Sequence, residues 1–566
     1  MIKRILILFA IAQLSMMSYS QTPKWAEKAK KAVFSVVTYD ANDKILNTGN
    51  GFFISEKGVA ISDYALFKNA QRAVIITSEG EKMPVKAILG ANDMYDVVKF
   101  SVDITSKKVA NLTLSETPMT DGTKLWLLPY STQKVRSLTS GNVNSVDKIS
   151  DYAYYTINLP LKEKMVSCPL MNDEGLVVAL AQKASGQDTT TICYGVDARF
   201  ANSQEITAIS YNDYALKQIG IKKALPDTED QALIFLYMVS SQVDAEQYSS
   251  LLNDFIAQYP NSADGYVRRA SNQLILSTDD SSLEKIENDI HQALQITDAK
   301  DDAYYNLAKM KYSYLVSGLN NEAKKWSFDG ALSDIKQAIA IQDLPIYTQL
   351  EGDIHYLKQD YNSALASYKK VNESNIRSAS TIFTEAKTLE MLETPAEEVL
   401  VLMDSCVAQF NKPYSADAAP YLIERARVRM EAKQARNAVL DYDDCFAALL
   451  GNVNDGFYNL RGQACLESKQ YQRALDDFTK AIELNPRELT YYSELAYVNM
   501  RVGRNQEAID VLKKSLKIDA EYAEGYRLIG VAYLQLKQNA EACEYFSKAK
   551  ELGDTNVETL IEKYCK

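Results

Sequence analysis

The sequence predicts a multidomain fold, with an all-β domain followed by an all-α array of repeated helix pairs. Before about residue 200, short runs of β-branched and aromatic residues alternate with turns, which is typical of antiparallel strands. After residue 228 the apolar residues recur with helical spacing. A 34-residue period of small residues then appears at Gly462, Ala496 and Gly530, and at Ala474, Ala508 and Ala542. Such a period is typical of stacked helix-turn-helix units, which bury their apolar faces against one another.

The composition is that of a folded protein with more than one hydrophobic core. The chain has 566 residues, of which 46% are hydrophobic and 24% are charged, and this length exceeds what one core supports. The formal net charge is −12 and no run is rich in Lys and Arg, so a nucleic-acid partner is not expected. With two histidines and no cysteine pair at metal-binding spacing, neither a metal site nor a cofactor is predicted.

The seven cysteines do not form a recognisable disulfide framework. Their number is odd and their spacing shows no pairing pattern. We predict that most of them are small packing residues between helices, as free cysteines usually are. They are Cys168, Cys193, Cys406, Cys445, Cys465, Cys543 and Cys565.

The first residues have the pattern of a secretory signal peptide. Lys3 and Arg4 precede the apolar run Ile5 to Ala12, and small residues follow before Gln21. The run is too short to span about 30 Å of hydrocarbon, and no later segment resembles a membrane span. We therefore expect a signal peptide over 1–20 and an exported chain, periplasmic or extracellular, without an integral membrane segment once the signal is removed.

The domain boundaries are predicted where these patterns change. The β domain is expected over 21–205, a linker over 206–228 and helix pairs over 229–566. About eight or nine helix pairs are predicted, and they are clearest at 455–553. The strand pattern of the β domain predicts a barrel or a sandwich. Its clearest strand runs are Val33–Tyr39, Gly51–Ser55, Ala73–Thr77 and Val85–Leu89.

The repeat segment resembles the tetratricopeptide repeat family in residue types and spacing. The resemblance is closest over 455–553 and weaker over 230–454. It implies a right-handed superhelical solenoid that holds a protein or peptide partner in its groove. The residues that carry it are Tyr458, Asn459, Leu460, Arg461, Gly462, Gln463, Ala464 and Cys465, followed by Ala474, Phe478, Ala481 and Pro486.

The register of that family implies which side chains line the groove. They are Asn459, Gln463, Ser493, Tyr497, Arg527 and Val531. Tyr497 is the best contact candidate among the tyrosines, since Tyr is favoured at interfaces. Tyr492 and Tyr526 instead occupy the position at which the family packs an aromatic residue. The Lys and Asn residues with which some relatives hold a C-terminal carboxylate are not found, so that ligand class is not supported.

The β domain resembles the trypsin-like serine proteases, in particular the bacterial heat-shock protease branch. The resemblance implies a double β-barrel. Its motifs are Gly49 to Ser55, Gly58 to Ser62, Ala91 to Val98, Thr139 to Val143, Ser167 to Leu170 and Gly175 to Val178.

The chain departs from that family at the catalytic positions. The family's histidine falls on Ala65 and its nucleophile on Val166, whereas Asp96 occupies the place of the aspartate. A serine nucleophile needs a base within hydrogen-bond reach, and no histidine occurs before His291. We therefore predict a degenerate triad and no catalytic residue.

Two weaker nucleophile candidates remain beside Val166. A shift of one residue would make Ser167 the nucleophile, with Lys162 or Lys164 as its base. Cys168 could instead act as a thiolate, provided that its pKa were lowered.

The sequence therefore favours an exported, non-catalytic protein-binding scaffold. The groove of the repeats would be its main contact surface, and the protease-like domain a second recognition module. One alternative is an unconventional serine or cysteine endopeptidase whose repeats recruit substrate. Another alternative is an assembly factor for an envelope complex.

Overall fold

The computed structural model describes residues 22–104, 108–135, 138–183, 191–317 and 325–565. The predicted signal peptide over 1–20 lies outside the described residues. The chain divides into two compact units, Met1–Thr297 and Asp298–Lys566. Within the described ranges, no helix combines the length and the apolar character that crossing a bilayer requires.

Six strands of the first unit form a closed antiparallel barrel in the order β1-β2-β3-β6-β5-β4. Alternate residues of these strands point inwards, as the period of a strand requires. The rings of Phe34 and Phe53 meet edge to face at 4.7 Å inside this barrel. The strands are β1 (Val33–Tyr39), β2 (Ile45–Phe53), β3 (Val59–Ser62), β4 (Arg72–Ile76), β5 (Lys82–Asn92) and β6 (Val97–Val102).

Six further strands close a second barrel in the order β10-β11-β12-β9-β8-β7. Its centre contains Tyr155, Ile157 and Leu170, which are fully buried. Two six-stranded barrels in succession confirm the predicted double-barrel fold class. The strands are β7 (Lys124–Leu127), β8 (Thr139–Ile149), β9 (Tyr152–Ile157), β10 (Pro169–Met171), β11 (Val177–Gln182) and β12 (Cys193–Asp197).

Residues 206–228 are not the linker that the sequence predicts. Leu216, Ile219 and Ile221 are buried in the same core as the first barrel. The N–H of Ile88 donates to the carbonyl of Lys222 at 2.8 Å, so this segment pairs with β5 through a parallel bridge. The sequence pattern does not reveal this packing, because irregular backbone lacks the periodicity of strands and helices even where it is buried and hydrogen-bonded.

Helical structure begins at residue 229, where the sequence predicts it, but the first four long helices belong to the unit that contains the barrels. Phe235, Leu252 and Phe255 of these helices share a core with the first barrel. The change from strands to helices is therefore not the boundary between compact units. The helices of this unit are α1 (Ala26–Ala29), α2 (Tyr64–Phe67), α3 (Tyr214–Lys217), α4 (Glu229–Val239), α5 (Ala245–Gln258), α6 (Ala263–Leu276) and α7 (Asp280–Ile296).

In its described residues, the second unit contains seven helix pairs and a last short helix. Residues 318–324, between the helices of the first pair, lie outside the described residues. The helices are α8 (Lys300–Val316), α9 (Phe328–Ile341), α10 (Pro345–Leu357), α11 (Tyr361–Asn372), α12 (Ala379–Met391), α13 (Ala396–Val407), α14 (Ala419–Glu431), α15 (Ala435–Ala448), α16 (Asp455–Glu467), α17 (Tyr471–Leu484), α18 (Leu489–Arg501), α19 (Asn505–Ile518), α20 (Ala523–Gln535), α21 (Asn539–Glu551) and α22 (Glu558–Tyr564).

The repeat period reflects one contact between the two helices of a pair. Gly530 of α20 lies against the ring of Phe546 of α21, so that a Cβ at Gly530 would be 2.4 Å from the ring. Gly462 of α16 lies in the same way against Phe478 of α17, where a Cβ would be 2.9 Å from the ring. Because both rings are fully buried, the small residue allows the two helices to approach closely.

A buried ion pair lies beside this contact in two of the helix pairs. Arg461, which precedes Gly462, binds Asp477 through two hydrogen bonds of 2.9 and 2.7 Å. Arg425 binds Asp441 in the same manner, at 3.1 and 2.6 Å. Such two-point binding adds geometric specificity to the pairing of the helices. The sequence analysis missed these pairs because their partners lie on different helices.

Two cysteines form a disulfide that the sequence analysis did not identify. Cys543 of α21 is bonded to Cys565, with a Cα–Cα distance of 5.5 Å. The bond ties the end of the last helix to the last helix pair. The other five cysteines are free and buried. Cys406, Cys445 and Cys465 lie in helices, as predicted, whereas Cys168 and Cys193 are buried in the core of the second barrel.

The contact at Gly530 predicts a steric effect on stability. We expect Gly530→Ala to lower the free energy of unfolding by about 1–3 kcal/mol, because its Cβ would overlap Phe546. Gly456→Ala is the matched control, since its Cβ would meet only the Asn454 side chain at 3.6 Å. Helix propensity alone should make that control neutral or more stable, by up to about 1 kcal/mol. Urea unfolding followed by circular dichroism measures both effects, and equal effects of the two substitutions would contradict the prediction.

Candidate functional site

Three segments of the first unit bring the predicted catalytic positions together. The short helix α2 carries Ala65, the turn into β6 carries Asp96, and the loop before β10 carries Ser167. The N–H of Ala65 donates to Oδ1 of Asp96 at 2.7 Å. The structure thus places Ala65 next to the aspartate, but this residue offers a backbone donor where the related proteases have a base.

Asp63 is a buried carboxyl group at this site that the sequence analysis missed. Its side chain is almost fully buried, and Oδ1 has no hydrogen-bond partner among the described residues. Burial raises the pKa of Asp63 well above its usual value, and the nearby charge of Asp96 adds to this effect, while the Ser167 hydroxyl partly offsets it. Burial also raises the pKa of Asp96. Two carboxyl groups and the Ser167 hydroxyl therefore lie close together, and the histidine that serves as the base in the related proteases is missing.

Ser167 is enclosed rather than presented to a substrate. Its side chain is 1% exposed, and its Oγ makes no regular hydrogen bond to any described residue. Its φ of +65° is in the left-handed region, which is unusual for a residue with a side chain. Lys162 and Lys164 are exposed. The alternative in which one of these lysines activates Ser167 has no support in this arrangement.

The backbone around Ser167, which we call the nucleophile loop (residues 163–168), directs its N–H groups inwards. Ser167 donates its N–H to the carbonyl of Ala181 at 2.9 Å. The N–H groups of Val166 and Cys168 donate to carbonyls within the loop, at 3.4 and 3.3 Å. An oxyanion hole needs N–H donors that point at the developing charge. These three donors are already bonded inside the protein.

A side-chain amide of the first barrel holds the nucleophile loop in this conformation. Nδ2 of Asn50 donates to the carbonyls of Lys164 and Val166, at 3.0 and 2.8 Å. Asn50 is itself buried, so opening the loop would leave a buried donor unsatisfied.

Cys168 is unsuited to act as a thiolate. Its side chain is fully buried, and burial raises the pKa of the thiol to about 12. A reactive cysteine needs a lowered pKa and access to solvent. The structure therefore does not support the alternative in which Cys168 is the nucleophile.

The predicted groove residues of the second unit form hydrogen bonds between successive first helices. Nε2 of Gln463 on α16 donates to Oε1 of Glu494 on α18 at 3.3 Å. The hydroxyl groups of Ser493 and Tyr522 lie 2.5 Å apart, which links α18 to the residue before α20. Burial raises the pKa of Glu494. Glu494 was missed because the family register points to Ser493, the residue before it.

Arg527 and Val531 are occupied by contacts within the protein. Arg527 binds Asp554 at 2.7 Å and Glu524 at 2.9 Å, so its charge is already compensated. Val531 is partly buried against the cores of the last two helix pairs. These two residues support the groove more than they offer free contacts to a ligand.

Tyr497 is the most exposed of the predicted groove residues, whereas the side-chain oxygen of Asn459 is buried. Tyr497 is 42% exposed, and the Arg501 guanidinium lies 5.7 Å from the centre of its ring. Oδ1 of Asn459 has no hydrogen-bond partner among the described residues. In contrast, Tyr492 is buried and donates its hydroxyl to the carbonyl of Pro486 at 3.0 Å.

Comparison with protein families identifies two kinds of domain in this chain. The model of the trypsin-like peptidase domain matches residues 49–180. Two models of the tetratricopeptide repeat match residues 457–488 and 493–557. The chain thus contains a trypsin-like peptidase domain and tetratricopeptide repeats, as both resemblances predict.

Several characterised proteins are similar to parts of the chain. The Hsp70-Hsp90 organizing protein 2 of Arabidopsis thaliana is 30% identical over 247 residues, which are 43% of this chain and 42% of that protein. The small glutamine-rich tetratricopeptide repeat-containing protein 2 of Mycosarcoma maydis is 33% identical over 95 residues, 17% of this chain and 27% of that protein. The human DnaJ homolog subfamily C member 7 is 32% identical over 102 residues, 18% of this chain and 21% of that protein. The chain therefore spans less than half the length of each of these relatives.

Two solved protease structures resemble part of the chain. A serine endoprotease from Yersinia pestis is 15% identical, covers 31% of this chain and 62% of its own, and has a TM-score of 0.27. A protease from M. tuberculosis in its active form is 15% identical, covers 33% of this chain and 86% of its own, and has a TM-score of 0.28. Likenesses this small carry no argument about what the domain does.

The buried carboxyl group of Asp63 predicts a pH dependence of stability. Above the usual value of 3.8 the unfolded chain loses this proton while the folded chain keeps it. Stability should therefore fall as the pH rises from 3.8 towards the raised pKa of the folded state. We expect Asp63→Asn to remove this loss, so that the melting temperature of the variant, relative to the unmodified protein, rises between about pH 4 and about pH 7.5.

The exposed carboxylate of Asp103 provides the matched control. Asp103→Asn should change the melting temperature by a similar small amount at both pH values. If the difference between Asp63→Asn and the unmodified protein did not depend on pH, Asp63 would be ionised in both the folded and the unfolded state.

Proposed function

We propose that this chain, in which a trypsin-like peptidase domain precedes tetratricopeptide repeats, is an exported protein-binding scaffold without peptidase activity. The groove of the repeats binds a protein or peptide, and the barrel domain is a second recognition module. The main support for the loss of catalysis is that the N–H groups of the nucleophile loop are hydrogen-bonded within the protein. They are therefore not free to stabilise an oxyanion. The absence of any histidine from the first 290 residues adds to this argument.

The repeats and their relatives support a protein as the partner. The Arabidopsis relative is named as an organizing protein for Hsp70 and Hsp90. In this chain, Tyr497 exposes an aromatic ring at a predicted groove position. Aromatic rings contribute much of the binding energy at protein interfaces.

The disulfide supports export, together with the signal-peptide pattern. Disulfides persist mainly in oxidising compartments outside the cytosol, and Cys543 and Cys565 are joined at the end of the chain. A cleaved signal would give a mature protein that begins near Gln21. N-terminal sequencing of the chain from producing cells tests this proposal, and an intact Met1 on the recovered protein would contradict it.

Labelling with active-site probes separates the scaffold from a peptidase. We expect a fluorophosphonate probe, which reacts with activated serines, not to label the mature chain, because Ser167 is enclosed and has no histidine beside it. Iodoacetamide at neutral pH should likewise leave Cys168 unmodified, since the pKa of this thiol is about 12. An active trypsin-like protease is the positive control. Labelling that disappears in Ser167→Ala or Cys168→Ala would favour the endopeptidase.

Quantitative affinity capture tests the groove. The mature chain is immobilised and exposed to the envelope fraction, and the main partner is then quantified by mass spectrometry. We expect Tyr497→Ala to weaken binding of this partner about tenfold, as for an aromatic contact at an interface centre. Tyr237→Ala is the matched control, because this tyrosine is 69% exposed and is not one of the predicted groove residues. Equal recovery by the two variants would argue against the groove as the binding surface.

A further inference from the structure

The first unit contains an open cavity that none of the functions above uses. It has a volume of about 760 Å³ and lies between residues 206–223 and the helices α4 and α5. Cavities of about 300–1,000 Å³ are typical of small-molecule sites in proteins. Asp63, Asp96 and Ser167 are not among its lining residues, so the cavity is distinct from the degenerate protease site.

The wall of this cavity is mainly apolar. Two polar lining residues, Gln242 and Gln247, are exposed. A mostly apolar wall favours a ligand with an apolar body, because peptide amide groups would lose hydrogen bonds to water without replacement. The apolar lining residues are Ile206, Tyr211, Leu216, Phe235, Val243 and Leu251.

The charged lining residues of the cavity are all cations. They are Lys217, Lys222 and Lys223, and no Asp or Glu lines it. In a chain with a net charge of −12, a concave surface of only positive charge favours anions. Two of these lysines have partners, since Lys222 pairs with Asp254 at 2.5 Å and Lys217 donates to Asn212 at 3.2 Å.

Lys223 differs from the other two lysines. It is partly buried, and its ammonium group donates to the carbonyl of Ile219. Among the described residues, no carboxylate forms an ion pair with it, and burial lowers its pKa. A partly buried cation without a counterion has lost hydration that no opposite charge replaces. An anionic group of a ligand would supply that missing charge.

We propose that this cavity binds an anionic amphiphile, namely a carboxylate on an unbranched apolar chain. The carboxylate binds the ammonium group of Lys223, and the chain lies against Leu216, Phe235 and Leu251. One partly buried cation without a counterion matches one negative head group, whereas Lys217 is exposed to water. This site is separate from the groove of the repeats, so it adds a small-molecule ligand to a protein-binding scaffold.

Calorimetric titration of the full mature chain with dodecanoate, below its micelle concentration, tests this proposal. We expect one site per chain and much weaker binding of dodecyltrimethylammonium, which has the same tail and the opposite charge. Lys223→Met keeps the length of the side chain and should weaken dodecanoate binding about tenfold or more, because a charge-assisted hydrogen bond is lost. Lys86→Met, on an exposed lysine of β5, is the matched control and should leave the affinity unchanged.

A second variant keeps the test valid if Lys223→Met does not fold. Gln247→Glu adds a negative charge at an exposed lining position, so it should weaken dodecanoate binding and favour the cationic amphiphile. Equal binding of the two amphiphiles, or an unchanged dodecanoate affinity in a folded Lys223→Met variant, would overturn the proposal. Tighter binding of an apolar peptide with a free C-terminal carboxylate than of dodecanoate would also overturn it.

Discussion

The contact between a small residue on one helix and a buried ring on the next is the constraint on which the helix pairs depend. At Gly530 and Gly462 no Cβ could be added without overlapping Phe546 or Phe478. Protein interiors are packed too densely to absorb such an overlap without displacing neighbours. The distance between the two helices, and with it the position of every side chain on their faces, is therefore set at this contact. The Arg461–Asp477 ion pair beside this contact also restricts how the two helices are oriented relative to each other.

Close packing also determines the arrangement at the predicted catalytic positions of the barrel domain. Hydrogen bonds from Asn50 and to the carbonyl of Ala181 hold the nucleophile loop in place. The N–H groups of the loop therefore stabilise the folded structure. Asp63 and Asp96 lie together in a buried region in which two negative charges would repel each other. A proton on Asp63 relieves that repulsion. This site is thus consistent with a barrel that keeps the architecture of a peptidase while its polar groups are used for internal bonding.

Much of the fold could be predicted from the sequence because it follows from local periodicity. Strand β1 occupies the predicted residues Val33–Tyr39, and the helices begin at Glu229, as the change of period indicates. The site was predicted in part. Ala65 and Asp96 are neighbours, but Asp63 and Glu494 were missed because neither occupies a motif position. Their burial arises from segments that are distant in sequence, which no local pattern records.

The sequence by itself determined the 34-residue repeat, the double-barrel class and the absence of a histidine from the protease-like domain. These features depend on residue types and on spacing along the chain. The tertiary structure alone decided that residues 206–228 belong to a core, that Cys543 meets Cys565, and that Lys223 lines an apolar cavity. The physical reason is that burial and charge compensation depend on neighbours in space. Such neighbours are brought together only when the whole unit has folded.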